Sequence, residues 1–395
     1  MTRFLELLTS VVIVVVLFVL VGVFLPDHRS VRHSGETSHP VRQVFDTLNS
    51  FKRFGEWNPL GQHDPQIVYQ ASGAPVGVGA RLDYVSKRKE IGSGSWHITE
   101  SEQDDHIQYT VYNRQQGNNK NHVLTFDQRG KIVEIDWQYN VDYGWSLPGR
   151  YAGLYIDRTV GDDVKRALAN ITNLIASMPN YDYRNLDVQV TAMPPLNILY
   201  VTTTADRNIT AVENAMDVAL KDIRAAIKAN NLVEAGRPRL ITTSFGSEKY
   251  EFDVAIPVAK VDKSVEDQDV DEDADVDEDV DADVELDGEM DEDGDGSAQE
   301  TTDTIAHEID LTPPPALEDL RLPENVHSGQ SYAGRVVMAP YRGHPAALPL
   351  IRDQLRSYAA AFGEQLQDRA FEEYLTEIEE TAAEDAQFRV YWPIR

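Results

Sequence analysis

The chain of 395 residues contains no cysteine. Disulfide staples, thiolate nucleophiles and cysteine-ligated zinc or iron–sulfur sites are therefore excluded. Basic residues are scarce: 36 Lys and Arg stand against 66 Asp and Glu, a formal net charge of −30. A surface of that sign repels a phosphate backbone, so nucleic acid is not an expected partner. Long apolar runs are absent but for one. Hydrophobic residues still make up 42% of the chain, enough to bury cores, and the length suits two or three folded units.

The exceptional run lies between Phe4 and Leu25, densest from Val11 onward, with Glu6 its one charge. About 20 such residues suffice for a helix to cross the hydrocarbon layer. The run ends Gly22-Val23-Phe24-Leu25-Pro26, without the small-residue pattern of a cleavage site, so an uncleaved single-pass anchor over 1–26 is expected. Arg3 on one side and Arg29 and Arg32 on the other do not decide orientation. The short N-terminal tail favours an inner-membrane (cytoplasmic-membrane) helix with the soluble part on the periplasmic side.

A first soluble unit is expected over 27–180. Pro40 opens a helix whose stripe is Val41, Val44, Phe45, Leu48 and Phe51. The period then becomes two, most clearly at Val133, Ile135, Trp137, Tyr139 and Val141, which predicts antiparallel strands with one wet face. Val160, Val164, Leu168, Ile171, Ile175 and Met178 predict a long closing helix. Trp57-Asn58-Pro59, Ile91 to Ser95 with Ile98 to Ser101, and Pro148 to Tyr151 through Gly161 resemble the SRPBCC family of polyketide cyclase and lipid-transport type. That resemblance implies a START-like helix-grip fold with an apolar cavity between sheet and helix. Trp57, Trp96, Tyr109 and Trp137 are its candidate lining; core packing is the favoured reading for any one of them, with one or two expected to touch a ligand. His63, Asp64 and Glu100 are candidates for acid–base work, and Asp104, Asp105 and His106 for a metal. The stretch Gln103 to Asp105 reads better as a hairpin turn, so no catalytic residue, metal or cofactor is assigned.

A second unit is expected in two halves, 186–258 and 326–395. Each half reads strand, helix, strand, strand. The first has its helix at Ile209 to Ile227 and ends Ala255-Ile256-Pro257-Val258. The second carries a stripe from Leu348 to Leu366, strand-like runs at Phe371 to Ile378 and Gln387 to Ile394, and ends Tyr391-Trp392-Pro393-Ile394. The overall fold class is thus α+β, with an internal β-α-β-β duplication. Ala339 to Gly343, Phe371-Glu372-Glu373-Tyr374 and the closing strand resemble the GyrI-like effector-binding domain of bacterial transcription activators. The resemblance implies an aromatic cleft with Glu372 at its base and Tyr341, Tyr374 and Trp392 around it, receiving cationic hydrophobic compounds. A carboxylate in an apolar pocket is costly alone, and an organic cation over aromatic rings offsets that cost. Of the adjacent glutamates, one is expected to face the cleft and the other water.

Between the halves, 259–325 is an acidic, low-complexity insert followed by a proline-rich return from Pro313 to Pro323. Self-repulsion and lack of apolar side chains predict disorder through about residue 304. Asp291 to Gly296 begins like a calcium loop, but Thr302 stands where the glutamate is required. A basic protein or diffusely bound divalent cations are its conceivable partners. The expected function is binding of a small hydrophobic or cationic amphipathic ligand by a membrane-tethered protein. The alternatives are an enzyme of cyclase or GyrI-like hydrolase type, and a scaffold acting through the acidic tract.

Overall fold

A computed structural model describes residues 2–260, 310–376 and 383–395, so the acidic tract from 261 onward lies outside the described residues. The architecture is α+β, with two antiparallel sheets and one N-terminal apolar helix, α1 (Thr2–Phe24). Its segment Glu6–Phe24 has a mean hydropathy of 3.2 and is long and apolar enough to cross a membrane.

The first sheet holds β1 (His28–Thr37), β2 (Val68–Gly73), β3 (Ala80–Val85), β4 (Ser93–Glu102), β5 (His106–Tyr112), β6 (Asn118–Arg129) and β7 (Ile132–Asp142). Their order is β1-β7-β6-β5-β4-β3-β2. Burial alternates strictly along β7, as its period of two dictates. Helix α2 (Val41–Leu48), the single turns α3 (Phe54–Trp57) and α4 (Leu60–His63), and α6 (Asp162–Ala176) cover the buried face. A short α5 (Leu147–Ala152), a 3-10 turn and a π-turn at Asp157–Gly161 lead into α6. Strands β1, β2 and β6 were not anticipated. Each carries too many polar residues for its apolar positions to stand out.

The second sheet holds nine strands. They are β8 (Gln189–Met193), β9 (Asn197–Asp206), β10 (Leu232–Glu234), β11 (Arg239–Phe245), β12 (Lys249–Lys260), β13 (His327–Gln330), β14 (Gly334–Arg342), β15 (Phe371–Tyr374) and β16 (Gln387–Pro393). The path is β13-β9-β12-β11-β15-β16-β14-β8, with β10 on β12. Apart from the short β10 after α7, β9-α7-β11-β12 and β14-α8-β15-β16 have the same element order. The strands β11 and β15 meet at the centre through Arg239–Glu373, Leu240–Glu372 and Ile241–Phe371. Helices α7 (Ile209–Ala229) and α8 (Leu348–Ala361) pack on one face, over Leu199, Phe252, Val254, Val337 and Val390.

Two expected boundaries shift. The stripe to Leu366 does not stay helical: α8 ends at Ala361, Gly363 takes a left-handed φ of 70°, and Leu366 bridges to Ile394. The insert expected from 259 begins later, because β12 runs to Lys260. Helix α7 starts where Asn208 accepts the Ala211 amide at 2.8 Å. Asn208→Ala is expected to cost about 1 kcal/mol of unfolding free energy by urea denaturation, with the midpoint moving and the slope unchanged.

The two sheets share an interface through α2 and α8. The hydroxyl of Tyr183 donates to Asp46 at 2.9 Å, the Ser357 hydroxyl donates to the Pro179 carbonyl at 2.8 Å, and Lys52 pairs with Glu364 at 2.7 Å.

Candidate functional site

Helices do not cover the second sheet completely. Between the N-terminal turns of α7 and α8, over the β11–β15 centre, lies a cavity of about 260 Å³. Its walls include Ile209, Val212, Met216, Leu240, Phe245, Tyr250, Leu348, Tyr374 and Phe388, and its charged members are Arg207, Glu213, Arg352 and Glu372. This is close to the lower end, roughly 300 Å³, of small-molecule pockets.

Glu372 is 1% exposed. It sits on β15 beside Leu240 of β11, so the strand period aims it at the helix face. Neither carboxylate oxygen accepts a hydrogen bond. The Arg352 Nε lies 3.0 Å from Oε1, near enough for an ion pair but off the line of a hydrogen bond. Arg352 is held elsewhere. Its Nη1 donates to the Thr242 and Tyr250 hydroxyls, and its guanidinium stands 5.5 Å from the Phe245 ring centroid and 5.7 Å from that of Tyr250. Burial pushes the Glu372 carboxyl above its ordinary range, and the pull of Arg352 does not restore it. Burial likewise raises the Tyr250 hydroxyl to about 12.

Glu373 corrects one expectation. It does not face water: it is 7% exposed on the opposite sheet face. There Arg239 donates to Oε1 from Nε at 3.1 Å and Nη2 at 2.9 Å, and the Tyr391 hydroxyl donates to Oε2 at 2.8 Å. Of the other candidates, Tyr374 lines the cavity, but Tyr341 and Trp392 do not. Tyr341 stacks behind Phe388 at 6.1 Å, and Trp392 lies under the Arg356 guanidinium at 5.6 Å. Phe245, Tyr250 and Arg352 were missed. A second cavity of about 340 Å³ shares Met216, Tyr374 and Thr376 with the first, but Lys221, Arg224, Glu234 and Arg237 make it polar.

The first unit differs from expectation. Its interior is largely packed, and the cavity there measures about 80 Å³, room for a few waters rather than a lipid. Trp96 and Trp137 line it; Trp57 and Tyr109 are core, fully enclosed, with the Tyr109 hydroxyl donating to the Leu48 carbonyl at 2.6 Å. His122 also lines it, unanticipated, stacked on Trp96 at 4.7 Å and accepting the Trp137 indole N–H at Nδ1 at 2.9 Å. Burial drops its pKa to about 3. The folded state therefore binds fewer protons than the unfolded one below pH 6.5, and His122 destabilises the fold as pH falls from there toward 3. NMR of the ring protons is expected to show no His122 titration between about pH 5 and 8. A midpoint near the ordinary histidine value would contradict this burial.

The residues weighed for acid–base chemistry do not converge. His63 pairs with Asp163 at 2.9 Å, Asp64 accepts the Ser86 hydroxyl, and Glu100 faces solvent beside Gln108. Glu102, Asp105 and His106 bring ligand atoms within 4.8 Å of one another on an exposed hairpin, where His106 pairs with Asp105 at 2.7 Å. Asp104 takes the left-handed turn position, φ 62°, as the hairpin reading requires.

No family model and no curated protein matches the chain. Among solved structures, the EcmrR C-terminal domain is similar at TM-score 0.34 and 9% identity, over 53% of this chain and 98% of that one. Protein Ms6760 from Mycobacterium smegmatis gives 0.29 and 15%, over 39% and 98%. Protein CV1439 from Chromobacterium violaceum gives 0.27 and 13%, over 37% and 96%.

Proposed function

We propose that this chain is a membrane-anchored receptor for a small hydrophobic molecule bearing a protonated amine, bound in the Glu372 cavity. One observation carries the reading: a carboxylate that is 1% exposed, lines a partly apolar cavity, and accepts no hydrogen bond. A buried polar group left in that condition costs about 1–3 kcal/mol, more when charged. An ammonium N–H supplies the missing donor and a second positive charge beside that of Arg352, and Phe245, Tyr250 and Tyr374 surround the hydrocarbon part. Arg352 remains on its two aromatic rings and pairs with Oε1, so Oε2, itself buried, is left without a hydrogen-bond donor.

The repeated strand–helix–strand–strand order is read as a duplicated GyrI-like effector-binding domain, and the first unit as a START-like helix grip. The 80 Å³ space in the first unit leaves it a structural rather than a ligand-carrying part. α1 is read as the single-pass anchor.

Calorimetric titration of the full chain in detergent tests this reading. A protonated arylalkylamine is expected to saturate one site and to bind at least about 10-fold more tightly than the uncharged alcohol of the same length. Equal affinities for the two would overturn it.

A further inference from the structure

The end of the first unit beside α1 exposes three large apolar or aromatic side chains close together in sequence. Trp145 is 82% exposed, Tyr155 62% and Leu154 50%. Trp145 lies just before α5, and Leu154 and Tyr155 lie in the 3-10 turn that follows it. That segment is fastened to α1 well before the helix ends. The Tyr151 ring stacks on Phe18 at 4.4 Å, and its hydroxyl donates to the Phe18 carbonyl at 2.8 Å. Leu147 and Tyr151 close on Gly22 so tightly that a Cβ there would stand 3.0 and 3.1 Å from them. Arg150 donates to the carbonyls of Val23 at 2.8 Å and Leu25 at 3.1 Å, closing the helix end.

Depth follows from these contacts. At 1.5 Å per residue the Glu6–Phe24 segment is about 28 Å long, just enough for a hydrocarbon layer of roughly 30 Å. The whole of α1, Thr2–Phe24, is about 35 Å long, so less than about one turn can stand outside that layer. Phe18 lies about 9 Å before the helix end, so even with that turn outside, whatever touches Phe18 lies at the boundary of the hydrocarbon layer or just inside it. Interfacial helices sit at about that depth, roughly 5–10 Å, and Trp and Tyr are the side chains that favour it.

Charge agrees. In a chain of net charge −30, the β3–β4 and β5–β6 connections, at the same end of the sheet by register, present Lys87, Arg88, Lys89 and Arg114 against Glu90, with Asp27 and Asp142 also at that end. They are continuous with the aromatic segment: Gly92 abuts Arg114, Gly117 abuts Tyr143, and Tyr143 packs on Gly149 and Gly153.

We propose that this aromatic and basic end docks into the headgroup layer of the bilayer that holds α1, so that the first unit stands on the membrane rather than swinging from a tether. The inference rests on the reading of α1 as a membrane span. The absence of cysteine makes the test direct. Single substitutions Val14→Cys, Trp145→Cys, Leu154→Cys and, at the far end of the sheet, Val78→Cys are nitroxide-labelled in the full chain. Each is reconstituted in nanodiscs of equimolar phosphatidylcholine and phosphatidylglycerol. The ratio of collision with oxygen to collision with an aqueous nickel chelate is then measured. Positions 145 and 154 are expected to show a several-fold higher ratio than 78 and a lower one than 14. Ratios at 145 and 154 equal to that at 78, with 14 in lipid, would overturn the docking while leaving the anchor intact. An aqueous ratio at 14 would overturn both.

Discussion

Glu372→Gln is expected to weaken binding of a protonated arylalkylamine by about 10- to 100-fold while costing only about 1–2 kcal/mol of unfolding free energy. The two halves of that expectation come from the same geometry. The ligand loses a charge-assisted hydrogen bond in a site with little water. The fold loses less than it would at a hydrogen-bonded pair: Arg352 gives up its counterion, but the carboxylate oxygens accept no hydrogen bond and burial works against ionisation more strongly than Arg352 favours it. Arg352 keeps the Thr242 and Tyr250 hydroxyls and its two aromatic rings. Calorimetry with the amine and urea unfolding of the same preparation check both halves. Unchanged affinity would remove Glu372 from the site. A loss of several kcal/mol in stability would mean that the Arg352 pair is a structural one.

Its neighbour is expected to behave in the opposite way. Glu373→Gln should cost about 3–5 kcal/mol of stability and leave amine affinity within about twofold. The Arg239–Glu373 pair has side chains 5% and 9% exposed, so Arg239 would keep its charge with no counterion in a dry site. The Tyr391 hydroxyl would face the new amide, which offers it a single acceptor oxygen in place of two. Thermal or urea unfolding reads the loss. A change below about 1 kcal/mol would show that solvent reaches Arg239 after all. Two adjacent glutamates on one strand thus separate function from stability, one per sheet face.

The sequence showed β7, α7 and α8 because their apolar residues recur at clean periods of two or of three and four. It hid β6, where Lys120 and His122 occupy inward positions ahead of Leu124 and Phe126. Lys120 is tolerated there because it donates to Asn113 and Gln115. Glu372 and Tyr374 were legible through their motif and the alternation of a strand. Arg352 was legible in principle: it stands four residues after Leu348 and three before Leu355, on the buried stripe, where a charge demands a partner. Phe245 and Tyr250 were not, since only the β11–β12 pairing brings the two rings within 5.0 Å. The packed interior of the first unit was also out of reach. Periodicity tells which side chains point inward, not whether they meet.

The ionisation of Glu372 offers the most direct test. Its folded pKa is raised, so the stability it contributes is present below its ordinary value of 4.5 and is lost as pH rises through the elevated one. Ligand binding moves the other way, because an ammonium needs the carboxylate. Titration of the amine across pH in buffers of different ionisation enthalpy is expected to show affinity rising by up to about 10-fold per pH unit, then levelling, with one proton released on the rising limb and none in Glu372→Gln. Affinity flat across pH, with no proton released by the unsubstituted protein, would contradict a carboxylate waiting for a cation in this cavity.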